Sequence, residues 1–160
     1  MKEKVVISAG SIVWTCIVFL FLCSLILHLL SRGLETISII FSACLVIWCL
    51  ACLWYAPMYI SLSADTLSIH RSLCIKDIPV SEIKSVHLHQ PTMAERRLCG
   101  SGGMFGYWGW FFERPVGKYF AYYGKASDCF LVELRNGRKY LLGCRNAPAI
   151  VKALTTELKK

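Results

Sequence analysis

Two long apolar runs occupy the first third of the chain, at residues 5–30 and 37–56. Neither run contains Asp, Glu, Lys or Arg, and the polar link between them covers only residues 31–36. A helix of about 20 apolar residues crosses a bilayer core of roughly 30 Å. The pattern therefore predicts two antiparallel transmembrane helices that form a hairpin at residues 1–56, and it places the rest of the chain on the same side of the membrane as Met1.

From residue 58 onward the hydrophobic positions alternate with polar ones, which is typical of half-buried β-strands. The predicted strands cover residues 58–63, 66–70, 73–78, 83–89, 118–123, 129–135 and 138–144. Asn136-Gly137 joins the last two strands and predicts a type I′ hairpin turn, because both positions of that turn need positive φ. Residues 90–117 interrupt the strand pattern and are interpreted as a long insert.

A final amphipathic helix is predicted after Asn146, which is a good N-cap residue. Pro148 suits the first turn, while Lys159 and Lys160 suit the negative end of the helix dipole. The apolar stripe of this helix is formed by Ile150, Val151, Leu154 and Leu158. Such a stripe needs an apolar partner, and we expect it to cover the open end of the sheet.

Seven strands in meander order followed by one amphipathic helix resemble a pleckstrin-homology (PH)-like domain. The resemblance is to bacterial PH domain membrane proteins in which a two-helix transmembrane hairpin precedes the domain, and residues 97–107 look like the Gly-rich insert of one such family. It implies a membrane α-helical hairpin plus an α+β, mainly-β PH-like domain at residues 57–160. That domain would be a seven-stranded bent sheet or split barrel capped by the C-terminal α-helix.

The resemblance does not extend to the inositol-phosphate site of eukaryotic PH families, which use Lys and Arg around the first strand hairpin. Here residues 62–66 form a short turn with an acid, Asp65, in place of a basic cluster. The scaffold is therefore expected to carry over, whereas that binding site is not.

Charge predicts the orientation of the hairpin in the membrane. Residues 57–160 contain eight Lys and seven Arg against three Asp and five Glu, so they hold seven of the eight net positive charges of the chain. Lys2 and Lys4 precede the first helix, and Arg32 is the one basic residue of the link. By the positive-inside rule we expect a multi-pass protein of the bacterial cytoplasmic (inner) membrane with both termini in the cytoplasm.

The insert at residues 90–117 has the most unusual composition of the chain. Its core interleaves Gly100, Gly102, Gly103, Gly106 and Gly109 with Phe105, Tyr107, Trp108, Trp110, Phe111 and Phe112. So many aromatic rings are either buried as a plug over one end of the sheet, inserted into a membrane surface, or held for a partner. The residues that we predict to bind lipid or a partner are Arg96, Arg97, Tyr107, Trp108, Trp110, Arg114 and Lys118.

Other chemistries find little support in the sequence. Gly100-Ser101-Gly102-Gly103 lacks the G-K-[ST] ending of a P-loop. Binding of single-stranded nucleic acid would require aromatic residues spaced along strands, but here they are clustered in one insert. His87 and His89 share a strand face without an apparent third metal ligand, so we predict a solvated pair. We expect no enzyme activity, no cofactor, no metal and no nucleic-acid partner.

Two function classes remain open after these exclusions. The first is a membrane-anchored module that binds anionic lipid headgroups through the basic, Gly- and aromatic-rich insert. The second is a structural or assembly module that docks another membrane protein or associates with itself.

Overall fold

The computed structural model describes residues 1–158, which form three α-helices and ten β-strands. The helices are α1 (Ala9–Ser31), α2 (Glu35–Tyr55) and α3 (Ala147–Glu157). The strands are β1 (Lys2–Lys4), β2 (Pro57–Leu62), β3 (Thr66–Arg71), β4 (Ile75–Pro79), β5 (Ile83–Leu88), β6 (Arg96–Gly103), β7 (Gly106–Glu113), β8 (Gly117–Tyr123), β9 (Cys129–Leu134) and β10 (Lys139–Gly143). Lys159 and Lys160, predicted to end the last helix, lie outside the described residues.

Helices α1 and α2 are long and apolar enough to cross a membrane, judged by length and composition. They contact each other, and the turn between them contains Gly33 at a φ of 72°. Most of their apolar side chains face outward, unlike those of a core helix in a soluble protein. Helix α1 begins four residues later than the apolar run, because Ser8 has an extended backbone and caps the helix by accepting a hydrogen bond from the Ser11 backbone N (3.2 Å).

The remaining chain folds into two open sheets rather than a closed barrel. One sheet has the strand order β1-β2-β3-β4, and the other has the order β5-β9-β10-β8-β7-β6. Neighbouring strands are antiparallel except for β8 and β10, which are parallel. The main hydrophobic core lies between the sheets and α3, where Ile150 and Leu154 are completely buried. The predicted PH-like sheet domain with a C-terminal helix is therefore confirmed.

A second, smaller core lies on the opposite face of the six-stranded sheet. Its buried members are Phe111, Val116, Tyr119, Ala121, Tyr123, Cys129, Leu131 and Leu141. The side chains of Thr92 and Glu95, in the segment between β5 and β6, hydrogen-bond to residues of this face. The segment therefore covers a part of the sheet that would otherwise meet solvent.

The insert is the largest difference between the predicted and the observed strands. Residues 90–117 contain β6 and β7, which pair antiparallel from Arg96 with Phe112 to Gly103 with Gly106. Residues 57–143 thus carry nine strands rather than the seven predicted. The prediction was wrong because glycine occupies positions in both strands where an apolar or polar side chain would have revealed the alternation.

The amino terminus contributes a strand that the sequence did not indicate, since Lys2-Glu3-Lys4 contains no apolar residue. Strand β1 pairs antiparallel with β2. The Met1 ammonium donates to the Leu62 carbonyl oxygen (2.6 Å), and the Arg145 backbone N donates to the Lys4 carbonyl oxygen (2.9 Å). The first residues are therefore held by the sheet, and the proposed division of the chain after residue 56 remains a prediction.

Two local details differ from expectation. Gly137 has a φ of 81°, but Asn136 does not have positive φ, so the turn between β9 and β10 is not type I′. Instead, the Asn136 Oδ1 accepts a hydrogen bond from the Arg138 backbone N (3.0 Å). Asn146 does stand at the N-cap of α3, yet its side chain makes no capping hydrogen bond to the described part of that helix.

Candidate functional site

The insert hairpin, defined as residues 96–113, lies against the domain-proximal ends of α1 and α2. Strand β6 contacts α1, and the Phe105 backbone N donates to the Thr15 Oγ1 (3.4 Å). The Phe105 side chain lines an apolar pocket together with Phe19 of α1. The Trp108 ring stacks on Tyr55, the last residue of α2, with ring centroids 5.0 Å apart. The hairpin therefore touches both long helices where they meet the domain.

Side chains of β7 alternate between the two faces of the sheet. Tyr107 and Phe111 face the second core, where Tyr107 stacks on Tyr123 with ring centroids 4.6 Å apart. Trp110 and Phe112 point the other way and are 37% and 38% exposed. Some rings of the insert are therefore buried in the domain, as in a plug, and others are open to the surroundings.

The predicted binding residues occupy different places in this arrangement. Tyr107 is partly buried and packs against the second core. Trp108 is at the helix ends, where its Nε1 is buried without a hydrogen-bond partner among residues 1–158. Trp110 and Lys118 lie together, with the Lys118 Nζ 4.4 Å from the centroid of the Trp110 ring. These four residues therefore do not form one surface.

The three predicted arginines are all exposed. Arg96 and Arg97 lie at the start of β6, and Arg114 follows the end of β7, so all three are at the open end of the insert hairpin. The Arg97 guanidinium folds along β6 over Gly102, and its side chain lines a cavity with Trp14 and Trp48 of the helices. Arg97 is thus the predicted cation nearest to the helices.

A buried carboxylate that the sequence analysis missed lies at the end of β7. Glu113 is 0% exposed, and its Oε1 accepts hydrogen bonds from the backbone N (3.0 Å) and the hydroxyl of Thr92. Its Oε2 is 2.8 Å from the His89 Nε2. Burial raises the pKa of Glu113, but the hydrogen bonds from Thr92 and His89 outweigh that effect and hold the pKa below its usual value.

A second carboxylate, in the segment between β5 and β6, bonds to the same face of the sheet. Glu95 accepts hydrogen bonds from the hydroxyls of Tyr119 and Tyr123, the latter at 2.8 Å. Burial, followed by the adjacent Glu95, raises the pKa of both phenols, so they stay neutral donors. Glu95 and Glu113 together fasten the segment over the second core.

This cluster is structural rather than catalytic in its geometry. The carboxylate of Glu113 is completely enclosed and its hydrogen bonds all end on protein groups, so no substrate atom reaches it. Tyr107, Phe111 and Glu113 share the inward face of β7, but Gly109 interrupts the alternation that would have indicated it. Residues 106–113 were not predicted to be a strand, so the inward position of Glu113 was missed.

The histidine pair also differs from its prediction. The rings of His87 and His89 meet edge-on with centroids 6.4 Å apart. His87 is exposed, but the side chain of His89 is only 18% exposed and is bonded to Glu113, so the prediction of a solvated pair was wrong for His89. No group of three metal-ligating side chains occurs in the described residues 1–158.

Comparison with known proteins agrees with this architecture. A family model described as bacterial PH domain matches residues 58–158, from β2 through α3, with the two apolar helices immediately before it. No curated protein and no solved structure matches the chain. Because the family model covers well over half of its length, the chain belongs to the bacterial PH domain family.

Proposed function

We propose that this protein is a non-catalytic, membrane-anchored PH-like module that binds the anionic surface of the bacterial cytoplasmic membrane through the insert hairpin. Helices α1 and α2 cross the membrane, and both termini and the domain lie in the cytoplasm. The excess of Lys and Arg in residues 57–160 and the lone basic residue of the helix link support this orientation.

The contact between the insert hairpin and the helix ends is the observation that carries the proposal. Thr15, which accepts the hydrogen bond from Phe105, is six residues into α1. At about 1.5 Å per residue it lies roughly 9 Å along the helix axis. If α1 enters the bilayer in its first turns, the tip of the insert hairpin lies at the depth of the lipid headgroups.

The exposed chemistry of the insert hairpin fits such a position. Trp110 and Phe112 expose more than a third of their surface, and Leu98 exposes 55%. Amphipathic aromatic rings favour the headgroup region. Arg96 and Arg97 lie on the neighbouring strand, and each cation gains about 1 kcal/mol near an anionic leaflet.

A second function, the docking of a partner membrane protein or of another copy of this chain, is favoured by the position of β6. This strand is the last one of its sheet, and six of its eight residues are exposed. An edge strand can accept a strand from another chain through backbone hydrogen bonds. The two functions differ in their salt dependence, because charge-driven lipid contact weakens as salt screens it.

The test uses the full chain in nanodiscs, since β1 belongs to the sheet and a fragment beginning at residue 57 would lack it. Acrylamide quenching of Trp110 is obtained by subtracting the signal of a Trp110→Phe variant. We expect Trp110 to be shielded in discs that contain phosphatidylglycerol, relative to discs of phosphatidylcholine alone, and we expect high salt to remove the difference.

Charge variants make this measurement specific to the insert. The Arg96→Gln/Arg97→Gln double variant should lose the shielding by anionic lipid. The control is Arg135→Gln/Arg145→Gln, which removes the same charge from exposed positions outside the insert. Equal quenching of Trp110 in both kinds of disc at low salt would contradict lipid binding by the insert and would favour the docking function.

A further inference from the structure

A cleft of about 520 Å³ opens between the two sheets on the face opposite the second core. Its cations come from distant parts of the chain, Arg71 at the end of β3, Lys76 in β4 and Arg138 in the turn before β10. Aromatic rings form most of the remaining wall, and no acidic residue of the described chain lines it. The cleft is therefore positively charged as well as aromatic.

The cations of this cleft are held by rings rather than by carboxylates. The Arg71 guanidinium carbon lies 5.7 Å from the ring centroid of Tyr55 and 5.8 Å from that of Tyr122. The Lys76 Nζ lies 4.9 Å from the ring centroid of Tyr140. The ion pairs of residues 1–158 involve other side chains. Cation–π contacts hold a cation in place without neutralising its charge, so the cleft keeps its attraction for an anion.

The hydrogen bonding of Arg71 also indicates a missing ligand. Its Nε is buried and has no hydrogen-bond partner among the described residues. Buried polar groups in folded proteins nearly always have partners. Guanidinium N–H groups match phosphate oxygens in geometry and form charge-assisted hydrogen bonds with them. A phosphate oxygen in the cleft would supply the partner that the protein itself does not provide.

The location of the cleft indicates where that phosphate comes from. Tyr55, one wall of the cleft, is the last residue of α2. The turn after β3 is tied to the same helix end, because the Ser72 backbone N donates to the Ala56 carbonyl oxygen (3.2 Å). Leu73 and Ile75 in and after this turn are 57% and 55% exposed. The cleft thus opens beside apolar side chains at the level where α2 ends.

We propose that this cleft binds a phosphate group, with Arg71 as the central ligand and Lys76 and Arg138 beside it. The headgroup of an anionic phospholipid is the favoured source, because the cleft lies at the end of an apolar helix. Only that choice of source rests on the proposed membrane anchoring. Binding of soluble phosphate needs no contact between the insert and a membrane. Trp110 of the insert hairpin also lines the cleft, so the charge variants rather than Trp110 quenching alone separate the two proposals: phosphate binding depends on Arg71, and lipid binding by the insert depends on Arg96 and Arg97.

The test uses the full chain in micelles of an uncharged detergent, with ³¹P NMR to detect binding. The probes are inorganic phosphate and micelles doped with phosphatidic acid, phosphatidylglycerol or phosphatidylcholine. We expect phosphatidic acid or phosphatidylglycerol to bind more tightly than inorganic phosphate. Equal binding of inorganic phosphate and the anionic lipids would identify free phosphate as the source. No binding of any of these anions at millimolar concentration would overturn the proposal.

The variant Arg71→Gln should weaken binding of the anionic probes about tenfold or more, as expected for loss of a charge-assisted hydrogen bond. The matched control is Arg135→Gln, because Arg135 is exposed beside the same β9–β10 turn but does not line the cleft. Equal weakening by the control would overturn a specific site, as would unchanged binding by Arg71→Gln. If Arg71→Gln does not fold, Lys76→Gln/Arg138→Gln serves instead, with the same expected loss and the same contrary results.

Discussion

Replacing Glu113 by Ala is expected to lower the free energy of unfolding by about 3 kcal/mol. The carboxylate is completely buried and accepts hydrogen bonds from His89 and from both the backbone and the side chain of Thr92. Without it, the His89 imidazole, which is only 18% exposed, and the Thr92 backbone N–H lose their acceptor, and a polar group shielded from water without a partner is costly. Urea unfolding of the full chain in uncharged micelles, followed by tryptophan fluorescence, measures the change.

Glu133→Ala is the matched control, because the Glu133 carboxylate also bonds to a side chain, that of the exposed Lys84, at 3.2 Å. Glu133→Ala should lower the free energy of unfolding by no more than about 1 kcal/mol, as is usual for exposed ion pairs. Similar losses for the two variants would mean that Glu113 does not hold the segment between β5 and β6 in place.

Acid should remove the same stabilisation. The pKa of Glu113 is lowered in the folded protein, from an ordinary value of 4.5. A group with a lowered folded pKa stabilises the fold fully above its unfolded pKa, and the contribution disappears as the pH falls through the folded pKa. The stability difference between the wild type and Glu113→Gln should therefore shrink in acid, as the pH falls below the ordinary pKa of the glutamate. A difference that persists at the lowest pH would contradict this account.

Replacing Gly109 by Ala is also expected to lower the free energy of unfolding by about 3 kcal/mol and to open the insert hairpin. Gly109 has a φ of 122° and pairs directly with Gly100, whose φ is 126°. A Cβ on Gly109 would lie 2.2 Å from the Cys99 carbonyl oxygen and 2.7 Å from the Gly100 Cα. Both obstacles are backbone atoms of the partner strand, so they cannot turn aside as a flexible side chain would.

Gly117→Ala separates backbone strain from steric conflict in this experiment. Gly117 also has positive φ, at 85°, but a Cβ there would meet no atom within 4 Å. Gly117→Ala should lower the free energy of unfolding by about 1 kcal/mol, because of the backbone conformation alone. Hydrogen exchange then locates the damage, because only Gly109→Ala should speed the exchange of amides in residues 96–113. If the two variants had equal effects on stability and exchange, the close approach of the two strands would not be essential to the hairpin.

Most strands outside the insert could be predicted, and in several of them alternating side chains reveal the inward face. In β3, for instance, Leu67 and Ile69 are buried while Thr66, Ser68 and His70 are partly exposed. The insert strands do not show this alternation. Glycines such as Gly100 and Gly109 allow the two strand backbones to approach each other closely, and they have no side chain that could mark a position as apolar or polar. Strand β1 escaped notice because its pairing with β2 depends on backbone groups rather than on apolar side chains.

The candidate sites show a similar division. Composition pointed to the insert, whose Trp110 lies beside Lys118 of β8, although no feature of the sequence separated the partly buried Tyr107 from the exposed Trp110. The cleft between the sheets was not predicted at all. Arg71 and Arg138 are unremarkable as sequence, and they line one cleft only because the two sheets bring together strands far apart along the chain.

The predicted meander order was wrong for the six-stranded sheet, in which β10 lies between β9 and β8. The sequence by itself determined the two long apolar helices, the positions of most strands along the chain, the closing amphipathic helix and the membership of the bacterial PH domain family. These features follow from local hydrophobic periodicity and length, which each segment carries within itself. Only the tertiary structure decided which rings of the insert are buried, how Glu113 meets His89 and Thr92, and where the cations of the cleft converge. Those contacts join residues distant in the chain, and their geometry is set by the packing of whole sheets and helices rather than by any local pattern.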